Sequence, residues 1–237
     1  MEMVLSGKTS QRLESFGDLE LWLLGEDAIG EFNEHIYTVY NEAFGKTRGE
    51  SEVPMSEIAP AAHENFPRGR ICGVRHTTGK LVGTWGIIVR ELDGTDAPLP
   101  TEEKYKLNLK QVLADLGVPQ IKYIFNGWRT AVNKEALTEF SIDRTKSIFI
   151  FDLLLRGLTQ DFVGREDDFL GIADMEMIVY KYHRRVGIPW QKIGEGINFW
   201  NRDRFPFAFK LAEYRDYMRQ HHPERAAFLF DKALGAD

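Results

Sequence analysis

A tyrosine and a histidine stand side by side in "VYKYHRRVGIPWQKIGEG", residues 179–196, directly ahead of Arg184, Arg185, Val186 and Gly187. Histidine titrates near neutrality and can shuttle a proton. Tyrosine, which ionises near pH ~10, can protonate a stronger base. His183 and Tyr182 are therefore candidate catalytic acids at a helix end, set against the plainer reading of a helix closed by a basic cap. Arg129, in the strand-like run "FNGWRTAV", is the most informative single residue. A buried guanidinium is too costly to leave unpaired, so it must meet a carboxylate or phosphate, of the protein's own or of a ligand. Glu135, Glu139 and Asp143 follow that strand and are the candidate bases, although each also suits a solvated loop. No His, Cys and carboxylate cluster has metal-ligand spacing, so no metal site is expected; His221 and His222 are adjacent and read as solvated.

These residues need a scaffold, and its elements are visible in the pattern. "LELWLLG" (19–25) reads as a strand, after which Glu26 and Asp27 open a helix to about Phe44; residues 45–67 read as a loop or short helix. "GRICGVRHTTGKLVGTWGIIVREL" reads as a hairpin of two β-rich runs about a Thr-Gly-Lys turn. A Pro-rich loop leads into a helix whose first turn carries Glu102 and Glu103, and 120–132 is a long aromatic and β-branched strand. Ile148, Phe151, Leu155, Leu158 and Phe162 recur at helical spacing, with Asp152 and Arg156 as an i,i+4 pair elsewhere on that helix. "FLGIA" (169–173) is a short strand; Met175, Ile178, Val179, Tyr182 and Val186 then make one helical face. "WQKIGEGINFW" reads as strand, and two C-terminal helical segments part near Pro223. Strands alternating with helices after an antiparallel hairpin imply a mixed sheet covered by helices.

The totals narrow the class. At 237 residues with 43% hydrophobic content the chain can bury a sizeable core, and neither a repeat nor a Gly/Ser linker divides it. It reads as one domain over 1–237 with the C-terminal helices, about 211–235, as an appendage. A net charge of −6 argues against a general nucleic-acid binder. Apolar runs are too short for an integral membrane segment, and "MEMVLSGKTSQRLE" lacks the features of a secretory signal. Cys72, the single cysteine, cannot make an internal disulfide and reads as a buried strand residue. A cytoplasmic, globular protein is expected.

Three stretches carry a family resemblance. "KLVGTWGIIVRELDGTDAPLPTEEKY" has a Gly-Thr strand followed by a Leu-Pro-Thr-Glu loop; "FNGWRTAV" is similar to a central-strand motif of Glu-x-Ser-Arg followed by small and apolar residues; "YHRRVGI" is similar to a Tyr-x-x-x-Gly-aromatic helix end. Together, over roughly residues 70 to 200, they resemble the GNAT-fold acyltransferases, in the branch of acyl-homoserine lactone synthases and N-acyl amino acid synthases. The resemblance implies an α/β fold with a GNAT-like mixed, largely antiparallel central sheet flanked by helices. Departures are informative. Asn126 stands where the branch has glutamate, Arg129 is kept, and Trp85 and Gly86 stand where lactone synthases bring an arginine. Their N-terminal aspartate pair is absent from "RGESEVPMSE", which offers Glu50, Glu52 and Glu57. These departures argue against lactone formation and leave N-acylation.

The resemblance implies transfer of a fatty acyl group from a phosphopantetheine thioester, on acyl carrier protein or CoA, to the amine of a small molecule, most simply an amino acid. It needs a held thioester carbonyl, donors for the developing oxyanion and a proton for the departing thiolate. The oxyanion donors would be strand N–H groups from Trp128 to Val132; the proton donor would be His183, which holds the family position, ahead of its neighbour Tyr182, with Glu139 as base. Arg129, Trp128, Asn126 and Trp85 would bind substrate, and Trp85, Phe125, Trp128, Phe149 and Phe151 would line an acyl tunnel or simply pack. CoA-binding relatives have a Gly-rich turn after the central strand, but "NKEALTEFSIDRTKSIFIFD" contains no glycine, so its backbone cannot easily cradle a pyrophosphate. A carrier protein presents one phosphodiester, within reach of Arg144, Lys146 and Ser147, which read otherwise as a capped helix start. Acyl carrier protein is thus the expected partner, and no tightly bound cofactor is expected. The alternatives are a CoA-dependent N-acetyltransferase for a small amine, and an inactive GNAT-like domain that binds an acyl carrier or lipid.

Overall fold

The computed structural model describes residues 5–42, 53–142, 144–199 and 202–231, and for 144–148 the backbone alone. The chain has an α/β fold whose strands pair in a mixed, largely antiparallel manner, flanked by helices, as the resemblance implies. It forms two compact units. One comprises the described residues up to Ile87 together with Arg129–Asp161; the other comprises Ile88–Trp128 and Phe162–Asp231.

The first unit begins with β1 (Gln11–Phe16) and β2 (Leu19–Leu23), joined by a tight turn at Gly17, whose φ of 60° suits glycine. On β2, Leu19, Leu21 and Leu23 alternate inward, the signature of a half-buried strand. A 3-10 turn (Glu26–Ala28) leads into α1 (Ile29–Asn41). Within the stretch read as loop or short helix, α2 (Met55–Asn65) is a full helix, and residues 43–52 lie outside those described. The hairpin is β3 (Gly69–His76) and β4 (Leu81–Glu91), as expected; β4 continues into the second unit. The end of β5 (Tyr123–Val132), α5 (Lys134–Glu139) and α6 (Arg144–Thr159) complete the unit. α6 packs on β2 and β3, and Gly157 permits it: a Cβ there would stand 2.8 Å from Cys72 Sγ. Burial pushes the Cys72 thiol up to about 11, so it is an inert core residue. Arg156 is fully buried and its guanidinium bonds Glu14 of β1, a partner that local spacing does not reveal.

In the second unit the expected helix at 100–115 is two. α3 (Pro100–Tyr105) ends where Lys106 turns left-handed at φ 51°, and α4 (Leu109–Asp115) restarts behind an Asn108 cap. The first part of β5 pairs in parallel with β6 (Phe169–Glu176), which is longer than the "FLGIA" core and includes Met175. Then come α7 (Met177–Arg185), the short strands β7 (Gln191–Lys192) and β8 (Ile197–Phe199), β9 (Arg202–Lys210), α8 (Leu211–His221) and α9 (Pro223–Ala226). β9, unanticipated because of its charges and Pro206, is the antiparallel partner of β6 along seven register positions. Gly171 of β6 has Phe125 and Phe209 against it, so close that a Cβ would stand 2.4 Å from the Phe209 ring. α8 buries Leu211, Tyr214 and Met218.

The expected apolar face of α7 is corrected by the structure. Ile178 is 61% exposed, and Met177, Val179 and Tyr182 also face outward; the inward line is Tyr180, His183 and Val186, at i,i+3,i+6. Tyr180 stacks on Phe207 of β9 at 4.7 Å, which fixes that face toward the sheet.

Candidate functional site

The parallel register of β5 and β6 runs from Tyr123↔Phe169 to Asn126↔Ile172 and stops there. Both strands continue, β6 to Glu176, still paired with β9 on its other side. The pair therefore opens after Asn126, with Gly127 and Trp128 on one strand and Ala173 and Asp174 on the other. Opened strands expose backbone donors that no ladder uses, a ready means of gripping a carbonyl oxygen. Asn126 is buried at the last paired position: its Oδ1 accepts from the N–H of Thr101 at 2.8 Å, and its Nδ2 donates to the Gly127 carbonyl at 2.7 Å. A glutamate could accept from Thr101 but could not donate to Gly127. The asparagine thus ties α3 to the mouth of the opening.

Beyond that mouth lies a charged ladder. Asp174 and Glu176 share one face of β6; Arg202 and Arg204 share one face of β9. They pair diagonally: Arg204 Nε to Asp174 Oδ2 at 2.7 Å, and Arg202 Nη1 to Glu176 at 2.9 and 3.0 Å. Lys104 of α3 reaches the same Asp174 Oδ2 at 3.0 Å. Burial pushes the Asp174 carboxyl up, but Arg204 and Lys104 outweigh it and hold it below the ordinary carboxylate range. On α3 the Thr101 and Tyr105 hydroxyl oxygens are shielded from solvent and have no hydrogen-bond partner among the described residues. Burial, then Asp174, pushes the Tyr105 phenol above its ordinary value.

On α7 the adjacent candidates diverge. His183 is 5% exposed, and its Nδ1 accepts from Trp190 Nε1 at 3.1 Å. Burial lowers the imidazole to about 4, so it is neutral at physiological pH and its proton resides on Nε2. Tyr182 is 42% exposed on the outer side. In the first unit, Trp85 is buried 4.9 Å from Phe151. Arg129 is half-buried with its guanidinium over the Tyr40 ring at 5.5 Å, and its own backbone is left-handed at φ 53°, an uncommon conformation for a non-glycine residue inside a strand. Glu139 is half-exposed in an ion pair with Lys80. Phe149 packs on Phe16, and in the second unit Phe125 packs on Phe162 and Phe209. Arg144, Lys146 and Ser147 fall at the start of α6, where side chains lie outside the described residues, as do Glu50 and Glu52. Among the described residues no group of three or more His, Cys, Asp or Glu could hold a metal ion, and no helix is long and apolar enough to cross a membrane.

The structure thus places Asn126, Trp128, Tyr182 and His183 in the second unit and Trp85, Arg129 and Glu139 in the first. Sequence reading missed Thr101, Lys104, Tyr105, Asp174, Glu176, Arg202, Arg204 and Trp190. One signal was present: two acids in "ADME" and two arginines in "NRDRF", each pair two apart, as cross-strand partners would be.

An opened parallel pair within a mixed, largely antiparallel sheet flanked by helices is the GNAT acyltransferase fold, and solved structures agree. At 16% identity, over 85% of this chain and 95% of the other, the chain superposes with a TM-score of 0.56 on FeeM, an N-acyl amino acid synthase from uncultured soil microbes. The acyl-homoserine lactone synthase LasI is similar at 15% identity over 92% and 97%, with a TM-score of 0.51. A putative arylalkylamine N-acetyltransferase of the yellow fever mosquito is similar at 12% over 87% and 95%, with a TM-score of 0.53. No family model and no curated protein matches the sequence.

Proposed function

We propose that the chain is an N-acyltransferase that moves a fatty acyl group from acyl carrier protein to the amine of a small molecule, an amino acid. The observation that carries this reading is the opening of β5 from β6 after Asn126↔Ile172, next to a cluster of charged and hydroxyl side chains. In this reading the thioester carbonyl lies at the opening, its oxygen accepting from whichever strand N–H, at Gly127 or Trp128, faces the gap. The neutral amine attacks the carbonyl carbon, the C–N bond forms, the C–S bond breaks, and the proton shed by nitrogen balances the one taken up by the thiolate. Tyr182, expected beside His183 as the acid, is exposed on the outer side of α7, so the thiolate takes up the proton that the amine sheds. His183 is neutral above about pH 4 and engaged by Trp190, so it positions α7.

Carrier protein is preferred to CoA on two counts. The turn after β5 is glycine-free, and its Asn133 side chain occupies the Ala136 N–H that a pyrophosphate would use. The outer face of α7 joins the apolar Ile178, Val179 and Tyr182 to the exposed Lys181, Arg184 and Arg185, which suits an acidic carrier. Incubation with acyl carrier and acyl-CoA donors of varied chain length and a panel of amino acids, following free thiol, tests the reading. Thiol release that requires both carrier-bound acyl group and amine supports it. Turnover from acetyl-CoA alone points to a CoA-dependent acetyltransferase, and carrier binding without turnover points to an inactive carrier-binding domain.

A further inference from the structure

We propose that Asp174 of β6 receives the acceptor's amine: its Oδ1 accepts one N–H while the nitrogen attacks the thioester carbonyl, which restricts the acceptor to primary amines. The assignment rests on the N-acyl-transfer reading. Counted on from Asn126↔Ile172, the last paired position, Trp128 and Asp174 stand at one level on either side of the opening. Asn126, Ile172 and Asp174 project from one face of the two strands. On that face the Asn126 side chain meets the Thr101 N–H and the Asp174 side chain meets Lys104, both on α3. A carboxylate therefore stands at the edge of the gap, level with the place where the reading puts the carbonyl.

The way this carboxylate is held sets it apart. Glu14 with Arg156, Glu102 with Arg90 and Glu176 with Arg202 each engage both carboxylate oxygens. At Asp174 both cations reach one oxygen, Oδ2: Arg204 Nε at 2.7 Å and Lys104 Nζ at 3.0 Å. Arg204 Nη2 donates instead to the Asp174 main-chain carbonyl. Oδ1 accepts no hydrogen bond among the described residues, and the side chain keeps 12% of its surface exposed. Its two neighbours keep the carboxyl ionised, so Oδ1 can only accept. Asn126, which stands where the branch has glutamate, is a neutral amide engaged at both ends. Across the opening, Asp174 supplies the carboxylate that β5 lacks.

A neutral primary amine carries two N–H bonds. One donates to Oδ1 and turns the lone pair toward the carbonyl carbon. The other proton passes to the departing thiolate as the C–N bond forms and the C–S bond breaks. Nitrogen gains positive charge as it attacks, so its hydrogen bond to a carboxylate strengthens in the transition state. The N–H held by Oδ1 is the one that the amide product retains. A secondary amine has a single N–H and cannot both keep it and shed it.

The test is equilibrium binding of N-decanoylglycine and of its ester counterpart, O-decanoylglycolate, to the full chain. The two ligands differ only in presenting an N–H or an oxygen to Oδ1. The amide is expected to bind about tenfold more tightly or better. Asp174→Asn can donate as well as accept, so it should bring the two within about twofold, with a melting curve to check folding. The comparison on the parent chain stands by itself if that variant does not fold. Equal binding of amide and ester by the parent, binding of neither, or a preference that survives in folded Asp174→Asn overturns the assignment. Turnover is scored separately. A chain that prefers the amide yet releases no thiol with any donor and amine keeps the Asp174 site and loses the N-acyl-transfer reading. A chain that acylates amines at a rate unchanged in Asp174→Asn, or acylates sarcosine as readily as glycine, keeps that reading and loses the assignment.

Discussion

Two arginines, one in each unit, are used in opposite ways. Arg156 in the first unit is 1% exposed and gives Nε and Nη2 to the two oxygens of Glu14, at 2.8 and 3.2 Å, a closed bidentate pair that fastens α6 to β1. Arg204 in the second unit shares Asp174 with Lys104, an open cluster of three residues from three elements, near the Thr101 and Tyr105 hydroxyls, which have no hydrogen-bond partner among the described residues. A closed pair answers to stability. An open cluster gathers α3, β6 and β9 on one ionised carboxylate.

The largest expected effect is on the closed pair. Arg156→Ala strands the Glu14 carboxylate and should cost about 3–5 kcal/mol of unfolding free energy, read by urea denaturation. Replacing both partners with apolar residues, Arg156→Met with Glu14→Leu, should restore most of that loss, because burying a matched ion pair is no better than packing hydrocarbon. Failure of the double variant to recover would mean that this pair also has work beyond structure.

Next in size is the pH response of the buried imidazoles. His183 and His35 are both lowered to about 4 from 6.5 by burial. Between those values the unfolded chain takes up the protons that the folded chain refuses, so stability is full above about pH 6.5 and falls as pH drops toward 4. The loss is about 3 kcal/mol per histidine. His183→Gln, which still offers Trp190 an acceptor, should remove roughly half of that slope in denaturation measured across pH, with His35 accounting for the rest.

The open cluster should respond differently. Asp174→Asn leaves Lys104 and Arg204 without their carboxylate and should cost about 1–3 kcal/mol, with at least a tenfold fall in thiol release. Because the folded Asp174 carboxyl is held below its unfolded value of 3.8, its stabilisation is present above that value and lost as pH falls through the folded one. The variant's acid limb below about pH 4 should therefore be shallower. A variant as active as the parent would make this cluster structural too. The smallest stability effect belongs to Ile178→Glu on the exposed face of α7: a change within about 0.5 kcal/mol, with a KM for acyl carrier donor raised at least fivefold. An unchanged KM removes α7 from the docking surface.

How far the sequence disclosed this depended on whether a feature is local. The β3–β4 hairpin has alternation and a Thr-Gly-Lys turn within one short stretch, and α6 repeats its apolar residues at helical spacing; both were legible. β1 was not, because "QRLESF" is a largely exposed strand without an apolar stripe, and β9 was not, because charges and Pro206 mask its pairing. α7 misled for a physical reason: apolar residues were assigned inward, whereas Ile178 and Val179 face out and a histidine faces in. Asn126 was read as a missing glutamate, and only its two backbone partners show it as a clamp. Thr101 and Tyr105 looked like ordinary residues of a helix start, since an unpartnered hydroxyl is a property of three-dimensional surroundings.

The central claim is that a thioester carbonyl is held where β5 leaves β6. Amide hydrogen exchange at Gly127 and Trp128, with and without a non-cleavable decanoyl-pantetheine thioether ketone, tests it most directly. At saturating ligand, the account predicts at least tenfold slower exchange at one or both of these amides, with no change in β1. Exchange at Gly127 and Trp128 that is unaffected by bound ligand would contradict it.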